Sequence, residues 1–270
     1  MDSLSSMDTL NPTERFSNRV ADYVKYRPDY PASLMDYLVE CVGLKPEHVV
    51  ADVGAGTGLL TQLFLKQGNR VYGIEPNPPM RAAAEDGLRA YGNFVSVAGQ
   101  AEATTLEATS IDWIAAGQAF HWFDQGAARL EFSRILKPGG WVALIWNSRL
   151  MSDPFHQAYE HFLLAHLPDY SRVKQRRPTA EELAVFFAPA AMTIAAFDHQ
   201  QVFDFSGLRG RLLSCSYAPK EDGANCGTNY GVMMEELRSL FERYSHQGQL
   251  IFRYTTHLYY AQPYPNSKTE

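Results

Sequence analysis

The sequence contains few cysteines, and their spacing argues against a disulfide framework. The 270 residues include Cys41, Cys215 and Cys226, and no two of these form a Cys-x-x-Cys pair. Secreted domains that depend on disulfides carry cysteines in even numbers, and an odd cysteine is left without a partner. We therefore expect free thiols and a reducing compartment, the cytoplasm.

Histidines with the spacing of metal ligands are also missing. His156, His161 and His166 follow one another at intervals of five residues in a predicted helix. Ligands that share one face of a helix lie three or four residues apart. The sequence therefore predicts no metal site.

An excess of positive charge is absent as well. The formal net charge is -6 at pH 7, and the isoelectric point is near 5.8. Proteins that bind nucleic acids neutralise phosphates with clustered lysine and arginine, so we expect no nucleic-acid partner. The densest basic cluster, Arg172 to Arg177, is interpreted as a solvated face of the protein, with an anion-binding patch as the alternative.

Long hydrophobic runs are lacking too. No stretch approaches the roughly eighteen consecutive apolar residues of a membrane span. The first fifteen residues, Met1 to Arg15, are polar and have no apolar centre, so we expect neither a signal peptide nor a membrane partner.

What the sequence does contain is an alternation of short apolar runs with helical stretches. This alternation is typical of a parallel sheet covered by helices on both faces, a doubly wound Rossmann-like α/β fold. The predicted strands are Val49 to Val53, Arg70 to Ile74, Phe94 to Val97, Ile111 to Ala116 and Trp141 to Trp146. The predicted helices are 31 to 43, 58 to 66, 79 to 90 and 125 to 136, with Lys137-Pro138-Gly139-Gly140 ending the last one.

The alternation of short strands with helices ends after Trp146. Helices are predicted over 154 to 167 and 179 to 187, and we interpret them as an inserted lid. A strand over 191 to 205, helices over 205 to 217 and 230 to 244, and a strand over 250 to 261 would complete a seven-stranded sheet. The resulting division is a segment over 1–30 that folds over a cofactor, a cofactor-binding core over 31–150, the lid over 151–190, and the closing elements over 191–270.

A glycine-rich turn follows the first strand, in Asp52-Val53-Gly54-Ala55-Gly56-Thr57-Gly58. Glycine permits a sharp turn and a close approach of backbone N–H groups to a ligand, and the following helix N-terminus adds partial positive charge. A dinucleotide fingerprint needs its third glycine at position 59, which is Leu59, so the pattern disfavours a diphosphate cofactor. An adenosine with a zwitterionic tail fits better.

The second strand ends at Glu75, which lies 23 positions after Asp52. Nucleoside-binding α/β folds place a ribose-binding carboxylate at this spacing, because a carboxylate accepts hydrogen bonds from both vicinal hydroxyls. The alternative is an ordinary surface glutamate at the end of a strand.

Four motifs resemble those of class I S-adenosylmethionine-dependent methyltransferases over about residues 20 to 150. They are Val50 to Gly58, Gly73 to Pro76, Gly99 to Glu102 and Leu136 to Gly140. Two further segments, Tyr26 to Pro31 and Ala119 to Phe123, resemble the small-molecule group that includes the trans-aconitate methyltransferases, which carry a methyltransferase type 11 domain.

The resemblance implies a set of residues that bind S-adenosylmethionine. Asp52 and the backbone of Gly54, Ala55, Gly56 and Gly58 would hold the methionine moiety. Glu75 and Pro76 would lie at the ribose, Met80 near the adenosine, Gln100 and Ala101 at the adenine, and Gln118 and Ala119 beside the sulfonium. Many relatives carry aspartate at the position of Gln100, but a glutamine carbonyl can also accept from the adenine amino group.

Ligands of open α/β sheets bind beyond the carboxyl ends of the strands, which places the methyl acceptor beside the fourth and fifth strands. His121 is the candidate general base or positioning residue, with a structural histidine as the alternative. The candidate acceptor-binding residues are Tyr26, Tyr30, Phe120, Trp122, Trp146, Asn147 and Arg149, and the aromatic ones could instead pack in the core. Arg27 would pair with the cofactor carboxylate, with an acidic substrate, or with a structural partner.

The expected function is transfer of a methyl group from S-adenosylmethionine to an oxygen of a small molecule, a carboxylate or a hydroxyl. The alternatives are a catalytically silent protein that binds the same cofactor and a nicotinamide-dependent oxidoreductase, which Leu59 disfavours.

Overall fold

The fold is described from a computed structural model that covers residues 20–171, 178–215, 217–219 and 230–263. Its α-helices are α1 (Val20–Tyr26), α2 (Ala32–Tyr37), α3 (Leu59–Lys66), α4 (Pro78–Leu88), α5 (Gln125–Ile135), α6 (Pro154–His166), α7 (Ala180–Phe187), α8 (Phe205–Leu213) and α9 (Tyr230–Tyr244). Its strands are β1 (Val49–Val53), β2 (Arg70–Ile74), β3 (Phe94–Val97), β4 (Ile111–Gly117), β5 (Leu136–Arg149), β6 (Thr193–Phe203) and β7 (Leu250–Ala261). The basic cluster Arg172 to Arg177, the first fifteen residues and Cys226 lie outside the described residues.

One sheet contains all seven of these strands, in the order β3-β2-β1-β4-β5-β7-β6. The pairs among β1 to β5 are parallel, whereas β7 runs antiparallel to both β5 and β6. This confirms the predicted seven-stranded, mostly parallel sheet. Because parallel strands end at the same edge, the segments that follow β1, β2, β4 and β5 meet there.

Hydrophobic cores lie on both faces of the sheet because neighbouring residues of a strand point to opposite faces. On β1, Val50 packs with Phe64 of α3 in one core, and Ala51 packs with Phe132 of α5 in the other. A third cluster joins α6, α8 and α9 to the start of β7, where Phe252 is fully buried. The C-terminal half thus builds a core of its own against the sheet.

The last strand, β7, has side chains that alternate between buried and more exposed positions. Phe252, Tyr254 and Leu258 are buried on one face of β7, whereas Arg253 is exposed. The period of two in apolar residues fixed this orientation correctly.

Several predicted boundaries are wrong. The segment Lys137 to Gly140 does not stop α5 but opens β5, because Leu136 already pairs with Ile111 and a bulge carries the chain into register with β4. The first predicted helix divides into α2 and one π-helical turn, Leu38–Val42, which ends at Gly43 as expected. The helix predicted over 205 to 217 ends at Leu213, and α1 lies in a segment where no helix was predicted.

The predicted lid segment forms α6 and α7, close to the predicted bounds. On α7, Leu183 and Phe187 are buried in the core that contains Phe132, so this helix is an integral part of the packing. Whether the segment closes over a ligand stays a prediction. Within the described residues, no helix has the length and apolarity needed to cross a bilayer.

Candidate active site

The turn between β1 and α3 owes its shape to glycine. Gly54, Gly56 and Gly58 have φ values of 73°, 59° and 86°, in the left-handed region that favours glycine. A Cβ atom on Gly54 would lie 2.5 Å from the Cβ atom of Ala119, and one on Gly58 would lie 2.6 Å from Leu88. Both the backbone conformation and the lack of space therefore exclude side chains here.

The N–H groups of these glycines donate within the protein. Gly54 donates to the carbonyl of Ile74, Gly56 to the carboxylate of Glu75, and Gly58 to the carbonyl of Ala55. The expectation that glycine N–H groups face a ligand is therefore wrong in this structure. What the turn provides is space at the end of β1.

Two polar atoms beside the turn have no partner among the described residues. Asp52 accepts a hydrogen bond from Thr61 at one carboxylate oxygen, at 2.6 Å, but its buried Oδ1 has none. The buried hydroxyl of Thr57 is also without a partner within the part of the chain described. Burial raises the pKa of Asp52 to about 7, although hydrogen bonds from Thr61 lower it. Buried polar atoms are normally satisfied, so these two indicate a ligand.

Asp52 and Thr57 line a cavity of about 120 Å³. Arg27 reaches it from the N-terminal segment, and its buried Nε also has no partner among the described residues. Tyr30 lines this cavity as well, with its ring against Gly117. Tyr30 lies at the end of β4 and does not line the larger cavity described below, and its contact with an acceptor stays a prediction.

Glu75 joins the glycine turn to the end of β2. Its Oε2 accepts from the Gly56 N–H at 2.9 Å, and its Oε1 accepts from the Asn77 N–H at 2.8 Å. Burial raises the pKa of Glu75, while these two hydrogen bonds lower it. Each oxygen keeps a second lone pair, so the half-buried carboxylate can still accept a ligand hydroxyl.

The residues predicted near the adenosine lie outside the lining of the 120 Å³ cavity. Met80 is buried with its Cε 3.5 Å from the position of a Cβ on Gly56, and Ala101 is buried beyond β3. Pro76 and Gln100 are exposed where the chain leaves β2 and β3. Their contacts with a cofactor stay predictions.

A second cavity, of about 550 Å³, adjoins the first. The residues that line both cavities are Tyr23, Arg27, Gln118, Asn147 and Arg211. Of the residues that sequence reasoning placed at the acceptor, His121, Trp122, Trp146, Asn147 and Arg149 line the larger cavity. The rings of His121 and Trp122 lie 4.8 Å apart, at an angle of 42°.

Gln118 and Asn147 form the boundary between the two cavities. Gln118 has a positive φ of 59°, and its side-chain amide donates to the Asn147 carbonyl at 3.0 Å. The Asn147 side chain accepts from the Thr256 hydroxyl at 2.6 Å and donates to the Asp29 carbonyl at 2.8 Å. The ends of β4 and β5 are thereby bonded to each other, to the middle of β7 and to the N-terminal segment.

Two predicted acceptor residues do not reach the larger cavity. Phe120 is fully buried in the core, with its ring 4.6 Å from that of Phe186, because the 3₁₀ turn Phe120–Trp122 directs it inward while its neighbours point outward. Tyr26 packs its ring against Gly210 of α8, and Tyr23, one turn earlier in α1, lines the cavity instead. Both interpretations were wrong, since side-chain direction on a single turn cannot be inferred from strand position.

Arg211 is a site residue that sequence reasoning missed. Its Nε donates to the Tyr254 hydroxyl at 3.1 Å, and its Nη1 donates to the Cys215 sulfur at 3.0 Å. It lies on the same face of α8 as the buried Leu208, three residues earlier. A charged residue on the apolar face of a helix was the available signal.

Comparison with known proteins shows which family shares this sequence. Residues 51–144 match the family described as a methyltransferase domain. An uncharacterised methyltransferase of Geobacillus kaustophilus is 31% identical over 173 residues, which cover 62% of this chain and 79% of that protein. One from Mycobacterium bovis is 37% identical over 135 residues, or 50% of this chain and 52% of that protein. The chain therefore spans about half the length of the first curated relatives that it matches.

Solved structures share the fold at low sequence identity. A proposed type II methyltransferase of Anaeromyxobacter dehalogenans has a TM-score of 0.62 at 21% identity and matches over 89% of this chain and 100% of that one. A SAM-dependent methyltransferase from Aquifex aeolicus has a TM-score of 0.51 at 15% identity, over 90% and 97% of the two chains. The match of residues 51–144 to the methyltransferase domain and the relative of Geobacillus kaustophilus, together with this fold, show that the chain belongs to the class I S-adenosylmethionine-dependent methyltransferases.

Proposed function

We propose that this protein transfers the methyl group of S-adenosylmethionine to an oxygen atom of a small-molecule acceptor. The observation that carries the proposal is the junction of two unequal cavities at Gln118 and Asn147. The smaller cavity suits the methionine end of the cofactor, and the larger has the volume of a typical small-molecule site. The narrower resemblance to trans-aconitate methyltransferases stays a prediction.

The polar atoms of the smaller cavity match an amino-acid zwitterion. The unpartnered Asp52 Oδ1 can accept from an ammonium group, and the Arg27 guanidinium and Thr57 hydroxyl can donate to a carboxylate. The half-buried Glu75 would accept from the ribose hydroxyls. When bound, S-adenosylmethionine supplies an electrophilic methyl group on a positively charged sulfur.

The N-terminal segment closes the junction from outside. Arg27 donates to the Ser214 carbonyl at 3.1 Å, and Gln201 donates to the Arg27 carbonyl at 3.3 Å. Together with the bond from Asn147 to Asp29, these contacts hold the segment across the ends of β5 and β6. Enclosure of this kind aligns the reactants and excludes water, which would otherwise weaken the electrostatic contacts.

The larger cavity offers groups for either kind of oxygen acceptor. A hydroxyl would need a base, and His121 is the histidine that lines this cavity. A carboxylate is already nucleophilic and would need a cation for binding, which Arg149 and Arg211 could provide. The aromatic rings of Trp122 and Trp146 would shield the reacting atoms from solvent.

Incubation with S-adenosylmethionine labelled in the methyl group, together with a metabolite extract, tests this function. We expect label in a compound that passes an ultrafiltration membrane, and none with Gly54→Ala, a variant that blocks the turn. Label confined to protein or nucleic acid would contradict a small-molecule acceptor. Cofactor binding without transfer to any fraction would show a catalytically silent protein.

A further inference from the structure

We infer that the acceptor is a carboxylic acid with a single carboxylate and an aromatic or apolar body, and that Arg211 binds its carboxylate. This inference deepens the proposed function and rests on it. It follows from the charges that line the larger cavity and from their position relative to the smaller one.

The larger cavity contains more positive than negative charge. Among the described residues that line it, Arg27, Arg149 and Arg211 are cationic and Glu160 is the one carboxylate. Arg149 forms an ion pair with Glu160 and a hydrogen bond with Tyr170, so this pair is close to neutral. Within the described residues, neither Arg27 nor Arg211 has a carboxylate at ion-pair distance.

Of these two arginines, Arg211 gives the stronger indication of an anionic ligand. It is 9% exposed, and its hydrogen-bond partners among the described residues are a tyrosine hydroxyl and a thiol. A buried guanidinium without an anion is unfavourable, since desolvation of the charge is not offset. The Tyr254 hydroxyl that accepts from Arg211 also donates to Gln201 at 2.9 Å, so the guanidinium is held in place. A guanidinium held in a fixed position in this way is suited to bind an anion.

Cys215, whose sulfur accepts a hydrogen bond from Arg211, also responds to the positive charge of the arginines. Burial raises the pKa of its thiol, but the charges of Arg211 and Arg27, together with hydrogen bonds from Tyr217 and Arg211, lower it to about 7. A carboxylate bound to Arg211 would offset the positive charge that lowers this pKa, so the pKa of the thiol would rise on binding. The thiol therefore reports on occupancy of the site.

Arg27 and Arg211 both line the junction of the two cavities, and we assign one to each ligand. Arg27 lines the smaller cavity with Asp52 and Thr57, where the cofactor carboxylate would lie. Arg211 approaches the same junction from α8, on the side of β7. One anionic group of the acceptor therefore suffices, and it lies beside the methyl donor.

Aromatic residues line much of the larger cavity. Tyr159, Tyr170, Tyr217 and Phe252 line it together with the neutralised Arg149–Glu160 pair. The rings of Tyr159 and Phe252 lie 5.6 Å apart, and those of Tyr170 and Tyr217 lie 5.0 Å apart. Such walls favour an aromatic or apolar body over a second carboxylate, which would meet the paired Glu160.

Methyl transfer to a carboxylate needs no base, because no proton has to be removed from the acceptor. A carboxylate oxygen of the acceptor forms a bond to the methyl carbon while the carbon–sulfur bond breaks and its electron pair stays on sulfur. The products are a methyl ester and S-adenosylhomocysteine, and no proton is released. Arg211 holds the oxygen that does not react, which leaves the other free for in-line attack.

The test uses the full-length protein and matched acceptors: aryl-substituted monocarboxylic acids such as phenylacetate and indole-3-acetate, their primary amides, and dicarboxylic acids such as succinate. Methyl-ester formation and binding in the presence of S-adenosylhomocysteine are measured. We expect monocarboxylic acids to bind and react, with amides and dicarboxylic acids at least about tenfold weaker. Preference for a dicarboxylic acid or for an amide would overturn the inference. Failure of any methyl transfer, with cofactor still bound, would instead refute the proposed function.

The variants Arg211→Gln and Arg211→Lys identify the residue responsible. Arg211→Gln should raise KM for the acid at least about tenfold and leave the Kd for S-adenosylhomocysteine unchanged, while Arg211→Lys restores part of the affinity. Arg209→Gln is the matched control, because Arg209 is on the same helix and lines neither cavity. Equal loss of cofactor affinity in Arg211→Gln would assign this arginine to the cofactor. If Arg211→Gln does not fold, the comparison of acids, amides and dicarboxylic acids on the wild-type protein decides.

Discussion

The two adjoining cavities differ in the parts of the chain that shape them. The smaller one lies against the glycine turn after β1, where Gly54 and Ala55 line it together with Asp52 at the end of that strand. The larger one is shaped by long side chains from β5, α6, α8 and β7, among them Arg149, Arg211 and Tyr254. Backbone geometry leaves little freedom for substitution, whereas long side chains can be exchanged singly. We infer that the first fixes the methyl donor and the second sets the acceptor.

The difference also appears in how each cavity holds charge. In the smaller cavity, Asp52 is fully buried, and its pKa is raised to about 7, so a cationic ligand would stabilise its ionised form. In the larger cavity, positive charge exceeds negative charge, so an anionic ligand would be stabilised. The smaller cavity thus offers Asp52 to an ammonium group and Arg27 to a carboxylate, as the zwitterionic end of the donor requires, and the larger cavity favours an anionic acceptor.

The largest effect is expected from Gly54→Ala. The new Cβ would lie 2.5 Å from that of Ala119 at a φ of 73°, so the turn must shift and affinity for S-adenosylmethionine should fall more than about a hundredfold. Gly87→Ala is the control, because nothing lies within 4 Å of its Cβ position and alanine favours helix. Calorimetry measures both. Equal affinities would show that backbone does not define the smaller cavity.

Glu75→Ala should weaken cofactor binding at least about tenfold, or about 1.4 kcal/mol, because the ribose hydroxyls lose a charged acceptor. The backbone N–H groups of Gly56 and Asn77 lose theirs as well. Glu47→Ala serves as the control, since Glu47 is exposed and lines neither cavity. Unchanged affinity in a titration with S-adenosylhomocysteine would remove Glu75 from the donor site.

The stability of the C-terminal half should decrease in mild acid because of His156. Burial lowers the pKa of this histidine to about 4 from 6.5, and its Nε2 accepts from the Arg253 N–H, which requires the neutral ring. The unfolded chain binds a proton below pH 6.5 and the folded one does not until about pH 4. The free energy of unfolding should therefore fall by up to about 1.4 kcal/mol per pH unit between these values.

Urea unfolding at several pH values measures this slope. His156→Gln removes the titrating group and should flatten the dependence in this window, whereas His246→Gln, at an exposed turn before β7, should leave it as in the wild type. An unchanged slope in His156→Gln would mean that the pH dependence arises elsewhere.

The smallest effect is expected from His121→Ala. If the acceptor is a carboxylate, His121 positions it without removing a proton, so kcat should fall about threefold with cofactor affinity unchanged. A loss of a hundredfold or more, with a pH profile that follows a histidine, would indicate a hydroxyl acceptor and a general base. Full retention of kcat would exclude any role for this residue in turnover.

The two cavities differ in the same way in how far they could be predicted from sequence. The donor site follows from residues close together in the chain, because a glycine turn after an apolar strand fixes both backbone shape and place in the sheet. Asp52, Gly54 and Tyr30 do line or border the smaller cavity, although Tyr30 was predicted for the acceptor. The seven-stranded sheet followed from the same alternation of strands and helices.

The acceptor site could be predicted only in part. Trp146 and Arg149 follow from strand ends, but Phe120 and His121 are neighbours whose side chains take opposite directions on one 3₁₀ turn. Arg211 and Tyr254 reach the cavity from elements more than 40 residues apart, so their meeting depends on how α8 packs against β7. No local pattern encodes that packing.

The most direct test of the central claim is an experimental structure of the protein with bound S-adenosylhomocysteine. We predict that its amino-acid end occupies the smaller cavity, with the ammonium group on Asp52 Oδ1 and the carboxylate near Arg27. The sulfur atom should face the larger cavity between Gln118 and Asn147. An amino-acid end bound elsewhere, or a sulfur atom separated from the larger cavity by protein, would contradict the assignment of the two cavities to donor and acceptor.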